Sequence, residues 1–405
     1  MTSDPQPADG GSPVPGRDLD LVLFGATGFT GRLTAGYLAR HAPSGLRWAL
    51  AGRSPEKLER LREELAAAHP ELAALPLLRA DASDAEGLRA VARRTRVVAT
   101  TVGPYLAYGE PLVAACAEEG TDYVDLCGEP EFVDRMWLGH HAAAVRSGAR
   151  LIHGCGFDSV PYDLGVHFTV EQLPEHVPLT VDGYVRAGGR PSGGTFASTL
   201  TVFSRLGAMR RAARARRAAE PRPKGRRVRA PLGSLRHSGD AAAWAVPLAT
   251  LDPQIVARSA AALDRYGPDF RYRHYAAVKR LPVVLGAAAG AGALFVAAQV
   301  PPVRRALSAR LAPGTGPSPE RRADSWFSVR FVGEGGGRRV VTEVRGGDPG
   351  YDETAKMLAE SALCLVYDKL PPTAGQTTTA AAMGTALRER LVAAGISFRV
   401  VDESP

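Results

Sequence analysis

Three glycines, at positions 25, 28 and 31, punctuate the segment Leu19–Arg32, LDLVLFGATGFTGR. A short apolar run precedes them and an Ala/Leu-rich helical pattern follows. That order predicts a strand, a tight turn and a helix whose N-terminus faces an anion. Gly25 lets the chain leave the strand sharply. Gly28, without a Cβ, lets a pyrophosphate approach the backbone. Gly31 lets the helix lie close to the sheet. Free N–H groups and the positive end of the helix dipole then meet phosphate charge. Ala26, Thr27, Phe29 and Thr30 complete the turn as candidate dinucleotide contacts. The spacing is GxxGxxG, a variant of the commoner GxGxxG.

The next strand sharpens the choice of cofactor. Arg47–Ala51 leads into Gly52-Arg53-Ser54, about 20 residues beyond the turn, where an NAD enzyme places a carboxylate for the ribose 2′-OH. No acid stands here before Glu56. A fixed cation at Arg53 and a hydroxyl at Ser54 suit a 2′-phosphate, so NADP is expected rather than NAD. The competing reading stacks Arg53 on adenine or leaves it in solvent. Asp81, closing a third strand at Leu75–Ala80, is a further candidate cofactor contact.

Three more strand ends carry groups that could serve hydride transfer. Such chemistry needs a well-aimed acceptor carbon and a proton donor. In Thr100–Tyr105, TTVGPY, the residues Val102, Gly103 and Pro104 should shape the wall against the nicotinamide ribose. Tyr105 and Tyr108 are candidate donors, or else an aromatic lid or core packing. In Asp125–Glu129, the Asp125 and Glu129 carboxylates either orient substrate and cofactor hydroxyls or cap the helix that follows. In Gly154–Pro161, GCGFDSVP, Asp158 and Ser159 either line a cleft at a domain junction or cap the next helix. Tyr105, Asp125 and Asp158 are the catalytic candidates, while His153 reads as a core histidine. Tyr275-x-x-x-Lys279 imitates the Tyr/Lys pair of short-chain dehydrogenases, but its place far beyond the first domain marks it as coincidence.

The elements that position these groups follow an alternating rhythm. Strand patterns at residues 19–24, 47–51, 75–80, 96–102, 122–126 and 149–153 alternate with helical patterns. The fold class is therefore α/β, with an N-terminal doubly wound parallel sheet over residues 18–155. Residues 1–17, rich in Pro, Gly, Ser and Asp, read as a disordered tail. After Cys155 the rhythm changes. Leu179–Ala187, Ser325–Val332 and Arg339–Arg345 alternate apolar and polar residues, the last two as a hairpin. With helical patterns at Thr195–Arg217 and Tyr351–Leu370, residues 156–379 read as an α+β substrate domain. Residues 380–405, a helix and a strand, are expected to pack back on the first domain.

Charge and apolar patterning bound the partners. The chain of 405 residues carries a formal net charge of +8. Arg205–Arg229 holds eleven Lys/Arg and one acid, a net of +10, so the remainder is 8 − 10 = −2. A globally basic nucleic-acid binder is not indicated, and the stretch lacks the interleaved aromatics of single-strand binding. It reads as a solvated helix end and loop or as a patch for anionic lipid headgroups. Leu281–Val300 is free of charge over 20 residues. It is long enough to cross a bilayer, but three readings stand: a buried helix or hairpin, a peripheral membrane contact, or a span. The four cysteines form no CxxC pair. Neither a disulfide framework nor a metal site is suggested, and a reducing cytoplasm fits.

The blocks GATGFTGR, AGRSPEKL, VGPYLAYGEPLVAACAEEGTDYVDLCGE, GCGFDSVPYDLG, SGGTFAS and GGDPGY together resemble the saccharopine dehydrogenase-like oxidoreductases, nearest to the actinobacterial trans-acting enoyl reductases. The resemblance runs from about residue 18 to the C-terminus. It implies an NADP-binding domain of Rossmann type followed by a saccharopine reductase-like domain. It also implies reduction of a carbon–carbon double bond on a lipid or polyketide presented by a separate synthase. Two alternatives stay open: a saccharopine-type imine or amino-acid reductase, and a non-catalytic NADP-binding protein at membranes. Arg186 and Arg190, near Ser192–Thr195, bear on the first. A homodimer and a place on the inner face of the plasma membrane are further expectations.

Overall fold

The computed structural model describes residues 16–188, 200–300, 302–303 and 316–404. Six strands of the first domain are β1 (Leu19–Phe24), β2 (Trp48–Gly52), β3 (Leu77–Arg79), β4 (Thr95–Thr100), β5 (Asp122–Asp125) and β6 (Arg150–Ile152). A late strand, β14 (Gly375–Thr377), joins them, and the order is β14-β6-β5-β4-β1-β2-β3. Every pair is parallel. All six residues of β1 are buried, as a strand covered on both faces requires. Leu21 and Leu23 face one apolar core and Val22 and Phe24 the other.

Helices cover both faces. They are α1 (Phe29–His41), α2 (Pro55–Ala68), α3 (Ala85–Arg94), α4 (Tyr105–Tyr108), α5 (Glu110–Glu119) and α6 (Pro130–Ser147). The chain order reverses between β1 and β4, so a switch-point crevice opens at their carboxyl ends.

The second sheet holds β7 (Leu179–Gly188), β8 (Arg227–Arg229), β9 (Arg236–Ser238), β10 (Ala243–Pro247), β11 (Asp269–Val278), β12 (Trp326–Gly335), β13 (Arg338–Gly346) and β15 (Ser397–Ser404). Its order is β15-β13-β12-β7-β11-β10-β9, with β8 beside β11. The helix α7 (Val160–Glu171) lies against one face, so close to β12 that a Cβ on Gly165 would stand 2.3 Å from the Phe331 ring. The remaining helices are α8 (Leu206–Ala219), α9 (Asp252–Ala262), α10 (Leu281–Gln299), α11 (Pro319–Ala323), α12 (Asp352–Tyr367), α13 (Thr379–Ala382) and α14 (Gly384–Ala393).

Two placements differ from the sequence reading, and one that it left open is decided. β15 pairs with β13 of the second sheet instead of returning to the first domain. The pieces that do return are α12, which buries Met357, Leu358 and Leu363 in the core under β1, and β14, which extends the first sheet beyond β6. Periodicity identifies a strand but not its partner, so the chain's return path was invisible in the pattern. Leu281–Gln299 is a single helix, and it is exposed rather than buried: Val284 and Ala298 are its buried residues. The strands β8 to β11 went unread because they are short or broken by charged residues. Arg190, Ser192–Thr195 and the SGGTFAS block lie outside the described residues, as do residues 1–15 of the expected tail over 1–17, while Arg17 is tied to Thr121 Oγ1 and to the Glu119 and Gly120 carbonyls.

Candidate functional site

The glycine turn has the geometry that its spacing predicts. Gly25 has φ +84°, and a Cβ there would lie 2.7 Å from Val102 Cγ2 and 2.9 Å from Thr101 Oγ1. The Gly31 position is tighter still, with a would-be Cβ 2.2 Å from the Gly25 carbonyl oxygen. Gly28 differs. Its nearest would-be contact is the Gly25 oxygen at 3.4 Å, and the residue is exposed. The protein itself does not need glycine at 28, so the space is kept for something else. Gly28 caps α1 with no side-chain acceptor, and no acid stands in the first turn. The Gly28 N–H donates to the Gly25 carbonyl at 3.0 Å, and the N–H groups of the first helical turn beyond it are free for an anion. Ala26 is buried, and its N–H donates to the Ala51 carbonyl at 3.3 Å. Thr34 donates to the Thr30 carbonyl at 2.9 Å, which commits that oxygen within α1. The Phe29 ring turns toward the second domain, edge-on to Tyr351 at 4.9 Å with the Arg322 guanidinium over it at 5.7 Å.

At the end of β2, Arg53 is exposed. It makes no hydrogen bond or ion pair with the described residues. Ser54 donates to Glu56 at 2.8 Å, so its hydroxyl must turn to reach a ligand. Asp81 accepts from the backbone N–H of Ser83 at 2.9 Å and from its hydroxyl at 2.7 Å. The Ser83 bonds, with Arg53 and Arg79 nearby, hold the Asp81 carboxyl below its ordinary range. Val102 donates its N–H to Thr100 Oγ1 at 3.2 Å, and the exposed Gly103–Pro104 bond is cis.

Two catalytic candidates prove to be struts. Tyr105 is buried, its hydroxyl donating to the Thr100 carbonyl at 3.2 Å and accepting from the Leu126 N–H at 3.0 Å. Burial pushes the phenol well above its usual range. It ties the end of β4 to the end of β5 and has no free proton for a substrate. Asp125 is fully buried and accepts four bonds. Its partners are Tyr123 Oη (3.0 Å), Cys127 N (3.0 Å), His153 Nδ1 (2.7 Å) and Gly154 N (2.9 Å). It locks the β5 and β6 ends together. Glu129 reaches back to the N–H groups of Tyr105 and Leu106, each at 3.0 Å, and so pins the GPY turn.

Asp158 stands apart. Its side chain is exposed to solvent in the loop that follows β6. It has no hydrogen-bond partner among the described residues. Gly128 lies directly beneath, its would-be Cβ 2.9 Å from Asp158 Oδ2. The surrounding protein, and then the Asp252 carboxylate, push this carboxyl up toward its protonated form. The next residue, Ser159, has φ +103°, a strained conformation of the kind that collects at functional sites.

Sequence reasoning missed the groups behind Asp158. Asp252, at the start of α9, accepts from Thr250 Oγ1 at 2.5 Å and from Ser159 Oγ at 3.4 Å. Its Oδ2 is 3.7 Å from His274 Nε2, and His274 Nδ1 is 2.8 Å from Tyr272 Oη. Burial lowers the His274 pKa to about 3, so this histidine is neutral. Asp252 is 94 positions from Asp158, and no local pattern joins them. The one available signal was Asp252-Pro253 at a helix start.

The first domain matches the saccharopine dehydrogenase NADP binding domain over residues 21–152. A Mycobacterium tuberculosis relative is 40% identical over 95% of this chain and 97% of its own. The trans-acting enoyl reductases of Mycobacterium bovis and Mycobacterium ulcerans are 37% and 35% identical, each over 94% of this chain and 97% of their own. This chain belongs to the saccharopine dehydrogenase-like oxidoreductases, among the trans-acting enoyl reductases. Saccharopine dehydrogenase (L-Glu forming) of Saccharomyces cerevisiae shares the fold. Its TM-score is 0.54 at 11% identity, covering 95% of this chain and all of that one.

As a member of this family the protein is an oxidoreductase whose first domain binds NADP. The residues present fit that cofactor. Gly28 keeps a seat that a Cβ would fill, the α1 N-terminus is uncapped, and Arg53, exposed at the end of β2, makes no ion pair among the described residues. Among the described residues no cluster of His, Cys, Asp and Glu could hold a metal ion. The four cysteines are free and buried. Tyr275 lies in strand β11, stacked on Tyr184 at 5.5 Å. That is not the helical setting of a short-chain dehydrogenase pair.

Proposed function

We propose that the protein uses NADPH to reduce an enoyl C=C bond on a lipid or polyketide chain presented by a separate synthase. The observation that carries this is identity with trans-acting enoyl reductases along almost the whole chain, both domains included. NADP in its reduced form supplies the hydride. The chain's own residues do the rest. The α1 N-terminus and Gly28 seat the pyrophosphate, Arg53 holds the 2′-phosphate, and Val102-Gly103-Pro104 forms the wall beside the ribose. Asp158 holds the proton. Its raised pKa keeps it protonated where an ordinary aspartate is ionised. It delivers that proton to the carbon next to the thioester carbonyl as the hydride reaches the other, and a C=C becomes CH–CH. Solvent reprotonates it, because the side chain is exposed. Four free, buried cysteines support the cytoplasm as the compartment.

The test is NADPH oxidation, followed at 340 nm, against a panel of enoyl thioesters with imines as the control set. Turnover of enoyl substrates is expected. Silence on every enoyl substrate alongside imine turnover overturns the proposal.

A further inference from the structure

Helix α10 is an anomaly in water. It is 19 residues long, apolar throughout, and its mean hydropathy reaches 2.0. Val283, Leu285 and Val296 are 56%, 60% and 63% exposed. Leu285 and Val296 share one side of the helix and Val283 lies nearly opposite, and residues 285–293 are all exposed, so apolar surface is open round the middle of the helix. A helix of this kind needs an apolar surrounding.

The ends of α10 decide how it can meet a membrane. At its start, β11 ends at Val278, with Lys279 and Arg280 between it and the helix. Beyond it, residues 300–325 contain Arg304, Arg305, Arg310, Glu320, Arg321, Arg322 and Asp324. No second crossing can be built from that stretch. The chain then enters β12. β12 and β11 both pair with β7, so both ends of α10 feed one sheet on one side. A single span is excluded by this connectivity, and the spanning reading falls with it.

The flanks supply the charge. Lys279 and Arg280 are exposed at the helix start and unpaired among the described residues. At the far end, Gln299 donates to the Phe203 carbonyl at 2.8 Å, and the Phe203 and Phe295 rings lie 5.9 Å apart. The basic helix α8 begins three residues later and exposes Arg210, Arg211 and Arg214 without ion pairs among the described residues. By contrast Arg205 and Arg216 are tied to Glu131 and Asp134. No acid lies within residues 200–219 or 279–303. A protein partner would cover one side of α10, whereas acyl chains surround it. Cations at both ends match anionic headgroups.

We infer that α10 lies in the plane of an anionic lipid bilayer, sunk in one leaflet, with Lys279, Arg280 and the α8 arginines on its headgroups. The helix, about 28 Å long at roughly 1.5 Å per residue, anchors the enzyme at the surface without crossing it. This inference is independent of which bond the enzyme reduces.

The test uses the full chain in flotation with sealed vesicles of phosphatidylcholine alone or with about one third phosphatidylglycerol. Binding to the anionic vesicles is expected, weakening as salt rises. Leu285→Asp with Val296→Asp should cut it at least tenfold while NADPH affinity and the melting temperature hold. Lys279→Glu with Arg280→Glu should remove the anionic preference. External protease should reach residues on both sides of α10, and a protected C-terminal fragment would mean a span and overturn the in-plane placement. Absence of binding to any vesicle overturns the inference. So does a dimer that the Leu285→Asp, Val296→Asp variant dissolves with no vesicle binding, since the helix would then serve a second copy.

Discussion

Replacing Gly28 and Gly31 with alanine, one at a time, separates the fold's demands from the cofactor's. At Gly31 the new methyl would meet the Gly25 oxygen at 2.2 Å and the Ala26 carbonyl carbon and Cα at 2.9 Å. All three are backbone atoms and cannot swing aside, so α1 must shift off the sheet. Overpacking of this kind costs about 2–3 kcal/mol, which lowers the melting temperature by about 2–4 °C in a chain of this size. At Gly28 the nearest atom is 3.4 Å away, and the residue is an N-cap that alanine fills less well than glycine. The folding cost there should stay below about 1 kcal/mol. The methyl nevertheless occupies the space where the pyrophosphate meets the backbone. NADPH affinity should fall at least tenfold, about 1.4 kcal/mol. Thermal unfolding without cofactor and a fluorescence titration of NADPH measure the two effects separately. If Gly28→Ala bound NADPH like the parent, or lost as much stability as Gly31→Ala, the assignment of this turn would fail.

Three further outcomes follow from the site. Arg53→Asp should weaken NADPH by about 1.5–3 kcal/mol, the worth of a charge-assisted contact, and leave NADH unchanged or improved; unchanged affinity for both cofactors would sink the 2′-phosphate assignment. Tyr105→Phe leaves the part-buried Leu126 N–H without its acceptor and should cost about 1–3 kcal/mol of stability with the shape of the pH–rate profile kept; a stable variant with kcat down by orders of magnitude would restore Tyr105 as an acid. Asp158→Asn should lower kcat about 100-fold or more with NADPH affinity intact. In the parent, activity should fall as pH rises through the raised pKa of Asp158, because the acid form is the active one. A variant that retained that descending limb would assign it to another group.

The protein shows plainly which information is local. The GxxGxxG turn, Arg53 at the second strand end and the βαβα rhythm are short-range features. Their chemistry depends on neighbours within a few residues: a positive φ at Gly25, a close approach at Gly31, a cation at a strand's carboxyl end. The sequence by itself therefore determined the doubly wound sheet, the cofactor class and the strand-end cleft where the candidate groups lie. It did not decide which groups in that cleft are free. Tyr105, Asp125 and Asp158 look alike as residues at strand ends. Contacts across 21 to 29 positions, to Leu126, His153 and Gly154, convert the first two into struts. Asp252, 94 positions away, gives Asp158 its charged neighbour. The same holds for Leu281–Gln299. Its composition allowed a core helix, a surface helix or a span, and only the pairing of β7 with both β11 and β12 put its two ends on one side. Burial and hydrogen bonding are properties of what the folded chain brings together, so the roles that depend on them could be settled only there.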